Sequence, residues 1–283
     1  MTPTGNRDVS PATRSWTYFA VPAVTKVQPN EGPLAGSSTV TITGANLAGA
    51  SAVKFGSADA ASYTVDSATS ITAVSPAGTG SVDVTVTTPG GTSATVPADQ
   101  FTYVAVPTLM RLKPKIGPVG GGTTVTITGA NFRPNTTVSF GSTPAASVTV
   151  SSPTSITAVS PAHLAGTVDV AVTTAGGSSA TSKADRFKFM PTITQVSPSS
   201  GPTAGGETVT VTGTGFVSGQ TTIKFGMRKG TAVSCVSWDV ANPAAETTCT
   251  VTSPAHGAET VDVRAVVNKA TSPKTSGDQY TYA

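Results

Sequence analysis

A chain of 283 residues with 11% charged and 6% aromatic side chains, but 29 Gly and 21 Pro, is composed for strands and turns rather than for long helices. Its 37% hydrophobic content and β-branched runs such as Thr39-Val40-Thr41-Ile42-Thr43 exclude a disordered polymer, and no stretch nears the ~20 apolar residues that cross a bilayer. The net charge of +3 is concentrated in residues 105–190, where seven Lys and Arg face two acids; that is too few, and too dispersed, for a dedicated nucleic-acid binder.

The N-terminus has no basic start followed by an apolar segment, so conventional secretion of this chain is not expected. Trp16-Thr17-Tyr18-Phe19-Ala20-Val21-Pro22 matches Phe101-Thr102-Tyr103-Val104-Ala105-Val106-Pro107 further along. Residues 1–21 therefore read as an arm resembling a domain's last strand. Two readings stay open: an extension that packs on the first repeat, and a strand that adds to a sheet edge of another subunit or partner, with Trp16, Tyr18 and Phe19 as the docking side chains.

From Pro22 onward the chain repeats itself. Gly32-Pro33 and Thr39-Val40-Thr41-Ile42-Thr43-Gly44 return as Gly117-Pro118 and Thr124-Val125-Thr126-Ile127-Thr128-Gly129, then as Gly201-Pro202 and Thr208-Val209-Thr210-Val211-Thr212-Gly213. Phe55-Gly56, Phe140-Gly141 and Phe225-Gly226 follow, then Ser75-Pro76-Ala77, Ser160-Pro161-Ala162 and Ser253-Pro254-Ala255, in the same order each time. A repeat of about 85 residues is a whole domain rather than a solenoid unit. The expected domains are 22–105, 106–190 and 191–283, each burying its own core and joined to the next by a short Pro-containing linker that makes a semi-rigid rod.

Within each copy the apolar residues alternate with period two, which predicts strands with one buried face and about seven strands in a two-sheet sandwich. Asn46, Asn131 and Gly215 occupy one position after the strongest strand, and these residue types predict a left-handed turn there.

The ordered Gly-Pro, Val-Thr-Ile-Thr-Gly, Phe-Gly and Ser-Pro-Ala motifs, three times over, resemble the IPT/TIG family of immunoglobulin-like domains. The resemblance implies an all-β fold of three tandem immunoglobulin-like sandwiches. It implies less about function, since such domains occur in surface receptors, Rel-type transcription factors, starch-acting enzymes and bacterial and phage surface proteins.

Arg111, Lys113 and Lys115 alternate along the first strand of the second repeat, so one face is expected to carry all three. They read either as a solvated edge that resists aggregation or as a contact for an anionic partner. In the third repeat Cys235 and Cys249 fall on consecutive strands; paired as in extracellular members of the family they form a disulfide, and otherwise they are two buried thiols. Trp238, in the excursion between them, is either an exposed aromatic platform or packing over the sulfurs.

Catalytic chemistry is not expected. His163 and His256 fall in equivalent loops and read as exposed loop residues, and Asp83, Asp169 and Asp262 recur one per domain rather than converging. No cofactor and no metal site is expected. The resulting expectation is a non-catalytic structural or adhesive protein, an exterior or decoration component of a large assembly such as a phage virion. It would bind protein partners through the arm, with a surface polysaccharide as a further partner, and would enter neither nucleic acid nor membrane. The alternatives are a bacterial cell-surface or secreted adhesion segment and an accessory carbohydrate-binding region of an enzyme.

Overall fold

The computed structural model describes residues 17–236, 242 and 245–283. The first repeat contains β1 (Ala23–Gln28), β2 (Glu31–Pro33), β3 (Thr39–Ala45), β4 (Ala52–Phe55), β5 (Ala58–Asp59), β6 (Ser62–Ser67), β7 (Ser70–Val74), β8 (Ser81–Thr88), β9 (Gly91–Thr92) and β10 (Gln100–Val104). A four-stranded sheet of order β1-β3-β7-β6 accompanies a second sheet of order β2-β10-β8-β4-β5, in which β9 also pairs with β8. The second and third repeats have the same two sheets in the same order. The chain is all-β, three immunoglobulin-like sandwiches in tandem.

Period-two patterning explains the faces. In β3, Val40 and Ile42 are fully buried while Thr39, Thr41 and Thr43 are exposed. The first strand of each repeat departs from it. Register shifts at Val24/Lys26, Leu109/Arg111 and Ile193/Gln195 mark bulges, and each places two apolar residues three apart on the core side, such as Leu109 and Leu112. After the bulged strand the chain passes to the other sheet, where β2 runs parallel to β10.

Aromatic side chains from the Phe-Gly strand and the last strand fill the space between the sheets. Phe55 meets Phe101 edge-to-face at 5.2 Å, Phe140 meets Phe187 at 5.1 Å, and Phe225 meets Tyr280 at 5.1 Å. The recurring Ser-Pro-Ala is also structural: Ser75, Ser160 and Ser253 are buried, and their hydroxyl oxygens accept the backbone N–H of Ser38, Thr123 and Glu207 at 3.1 Å each.

The turn after β3 is left-handed in all three copies, with φ of 58° at Asn46, 63° at Asn131 and 75° at Gly215. Asparagine adds a function there that glycine cannot. The Asn46 amide donates to the Val21 carbonyl at 3.0 Å and that of Asn131 to the Val106 carbonyl at 2.9 Å, tying the turn to the residue just ahead of each domain.

Contacts divide the described chain after Val104. Within residues 105–283 the expectation of wholly separate cores needs correction. The strand Thr260–Val267 turns through Asn268 and Lys269, both at positive φ, into the strand Ala270–Thr271. Val267 and Ala270, both fully buried, join the core of the second repeat, and the Asn268 amide donates to the Ala165 carbonyl at 3.1 Å. Truncating Val267 to Ala should therefore destabilise the second repeat by about 2 kcal/mol. Calorimetry of residues 105–283 tests this; a loss confined to the third repeat would show that the shared core contributes nothing.

Candidate functional site

The residues singled out from the sequence are distributed over all three repeats. Trp16 and Trp238 lie outside the described residues. Of the arm, Tyr18 is 99% exposed and Phe19 55% exposed, and residues 17–22 form no strand. The arm's backbone does meet the first repeat: a side chain added at Gly90 would strike the carbonyl oxygens of Ala20 and Phe19. The side chains of Tyr18 and Phe19 thus remain largely in solvent while the main chain at Phe19 and Ala20 passes over the β8–β9 turn.

Of Arg111, Lys113 and Lys115, all exposed, only the first two lie on the first strand of the second repeat. Arg111 and Lys113 flank buried Leu112 on the strand Thr108–Lys113 and point outward, but the strand ends there. Lys115 follows the cis Lys113–Pro114 bond, and its carbonyl accepts the N–H of Lys188 in the other sheet. A change of sheet two residues later defeats simple alternation.

Cys235 and Cys249 are bonded, directly opposite one another on antiparallel strands and nearly buried. In the other repeats the equivalent cross-strand pairs are Val65 with Ile71 and Val150 with Ile156, closed by tight turns. The disulfide takes the place of an apolar pair at the base of a loop that the third repeat has lengthened. Closing a loop with a sequence separation of 14 stabilises the fold by about 3 kcal/mol in the chain-entropy description. Reduction should lower the melting temperature of the third repeat and leave that of the first unchanged, as followed by calorimetry with and without reductant.

Both histidines sit differently from the expectation of exposed loop residues. His163 stacks on Phe189 with centroids 4.8 Å apart, and His256 on Tyr282 at 5.0 Å, each half-buried over the last strand. The first repeat has Gly78 at that place, where an added side chain would strike the ring of Tyr103. They are packing residues, and His256 also approaches Glu259 at 3.3 Å.

Sequence reasoning missed a buried carboxyl in each repeat. Asp99, Asp185 and Asp278 are fully buried just before the last strand. Each accepts, through Oδ2, the backbone N–H of the residue three earlier: Val96 at 2.9 Å, Ser182 at 2.5 Å and Thr275 at 2.9 Å. Each Oδ1 is buried without a hydrogen-bond partner. The available signal was an Asp at the same offset before each closing aromatic strand. Burial raises Asp99 above the ordinary carboxylate range; the Val96 N–H opposes this, and neighbouring Asp83 adds to it. Asp278 is raised by burial too, against the Thr275 N–H and Arg264, with Asp262 adding to the rise. The recurring Asp169 lies 3.8 Å from Arg186, and Asp262 pairs with Lys274.

Because the Asp99 pKa is higher folded than unfolded, its favourable contribution is complete below the ordinary carboxylate pKa and is lost as pH rises through the raised value. Asp99→Asn keeps an acceptor for the Val96 N–H and removes that loss. The melting temperature of the variant relative to the parent should rise between pH 4 and pH 7; a difference independent of pH would show that Asp99 ionises freely.

Among the described residues no three His, Cys, Asp or Glu side chains form a metal-holding group. No helix among them is long and apolar enough to cross a membrane.

The IPT/TIG domain family matches residues 22–103, 107–189 and 191–282. No curated protein matches the chain by sequence. Among solved structures, the extracellular region of plexin A4 is 24% identical with a TM-score of 0.42; the match covers 92% of this chain and 24% of that one. SGBP-B from a complex xyloglucan utilization locus in Bacteroides uniformis is 20% identical with a TM-score of 0.30, covering 87% of this chain and 66% of that one. Invasin, a bacterial integrin-binding protein, is 16% identical with a TM-score of 0.23, covering 91% and 59%.

Proposed function

The chain belongs to the IPT/TIG domain family, with domains at residues 22–103, 107–189 and 191–282, and from that premise we propose that it is a non-catalytic structural and adhesive protein on the exterior of a large assembly such as a phage virion. Its N-terminal arm docks to the assembly, and its sandwiches present binding surfaces. The observation that carries this reading is the arm itself. Tyr18, Phe19 and Val21 are 99%, 55% and 57% exposed, an apolar run that water solvates poorly. The three domains offer it no vacancy, since Gln100–Val104, Arg186–Met190 and Gln279–Tyr282 already fill the last-strand position of each. An extended segment of this kind gains main-chain and aromatic contacts by lying along a sheet edge of another chain.

The disulfide supports an oxidising final location. Assembly in the cytosol followed by exposure on lysis reconciles it with a particle component; placement on a bacterial surface, as an adhesion segment, reconciles it equally. Deleting residues 1–20 distinguishes docking from mere extension. The truncated chain should keep the melting profile of the full one and lose co-purification with the native assembly. Undiminished association would refute the docking role of the arm.

A further inference from the structure

The third domain carries a charge arrangement that neither of the others has. On its larger sheet Lys224 lies directly opposite Lys229 on one side and opposite Arg264 on the other, across three adjacent antiparallel strands. Their neighbours along the strands, Ile223, Phe225, Val263 and Ala265, are fully buried, so Lys224 and Arg264 project from the outer face. Like charges at directly opposed positions destabilise a sheet. The equivalent row in the first domain is Asp59, Lys54 and Thr85, with Lys54 and Asp59 paired at 2.8 Å. In the second it is Pro144, Ser139 and Ala171, without charge.

Neither Lys224 nor Lys229 makes an ion pair with a described residue. One Arg264 amino group donates to the Ser272 carbonyl, while its Nε is buried and has no partner. Lys224 and Arg264 border an open cleft of about 380 Å³ that is completed by Gly226, Met227, Asp262, Thr271 and Lys274, and Lys229 stands beside it, opposite Lys224 on the edge strand. Asp262 is already engaged by Lys274, and Met227 stands 92% exposed at the rim.

We propose that this cleft and the cationic row along its edge bind an acidic polysaccharide, with Lys224 and Arg264 in the cleft and Lys229 beside it receiving its carboxylate or sulfate groups, and Met227 covering a sugar face. Three cations on neighbouring strands are spaced by about 4.8 Å each, a step comparable to one sugar unit of an extended chain. The strands fix the backbone positions of all three, so only the side chains need ordering on binding. The guanidinium supplies planar donors for a carboxylate or sulfate, and the lysines supply adjacent point charges. This inference rests on the reading of the chain as a binding protein, but not on the arm.

Dextran sulfate and polygalacturonate, with neutral dextran as control, test the site in calorimetric titrations of the full chain. Lys224→Gln together with Lys229→Gln should weaken binding of both anionic polymers roughly tenfold, with a melting temperature no lower than the parent's, since the opposed charges are relieved, and a reduced dependence on salt. Lys54→Gln should leave binding as it is, and so should deletion of residues 1–20, which separates this site from the docking arm. Equal binding of neutral dextran, full binding by the double variant, or a loss produced instead by Arg111→Gln with Lys113→Gln would overturn the proposal.

Discussion

Each domain is organised around the insertion of one last-strand aromatic between the sheets. Phe101, Phe187 and Tyr280 are fully buried, and each packs edge-to-face on the phenylalanine of the Phe-Gly strand. The ring reaches so far that the facing backbone must be glycine. A Cβ at Gly32 would lie 2.7 Å from Phe101 Cζ, at Gly117 2.9 Å from Phe187 Cζ, and at Gly201 2.0 Å from the Tyr280 hydroxyl. The Gly-Pro motif is thus the imprint of this aromatic on the parallel strand beside it. Such pairs add about 1 kcal/mol beyond the area they bury, and they fix which two strands face each other.

The buried aspartates extend the same arrangement. Each sits immediately ahead of the aromatic strand and anchors its start through a backbone N–H, so a carboxyl is carried into the interior with one oxygen unmatched. A desolvated acceptor of this kind costs roughly 1–3 kcal/mol. The same geometry in three copies that differ widely elsewhere marks it as part of how the strand is set in place.

The third domain departs most from its neighbours. It alone carries cysteines, it donates Val267 and Ala270 to the core of the second domain, and it gathers the cationic row on its outer face. These differences share a physical origin. A sandwich tolerates change on its solvent-facing strand positions, at its turns and at an edge hairpin, while the inward positions are held by packing. Lys224 replaces a serine of the second domain at such a solvent-facing position.

The fold, the three repeats and the left-handed turn were legible in the sequence because each rests on local chemistry. Period-two patterning assigns faces, and asparagine and glycine tolerate positive φ; for Cys235 and Cys249 the sequence left a disulfide and two buried thiols both open, and the directly opposed strand positions decide for the bond. What local rules could not supply is register. The end of the strand at Lys113 and the passage of Lys115 to the other sheet part residues that strict alternation would have put on one strand. Lys224 and Arg264 are neighbours only because strands far apart in sequence pair at that offset, while a tight hairpin brings Lys229 to the other side of Lys224. The burial of Asp99, Asp185 and Asp278 and the sharing of Val267 likewise depend on what surrounds them after folding. An isolated sequence states which way a side chain points along its strand; only the assembled sheets decide what it meets there, because cross-strand register is set by turn geometry and the packing of both sheets together.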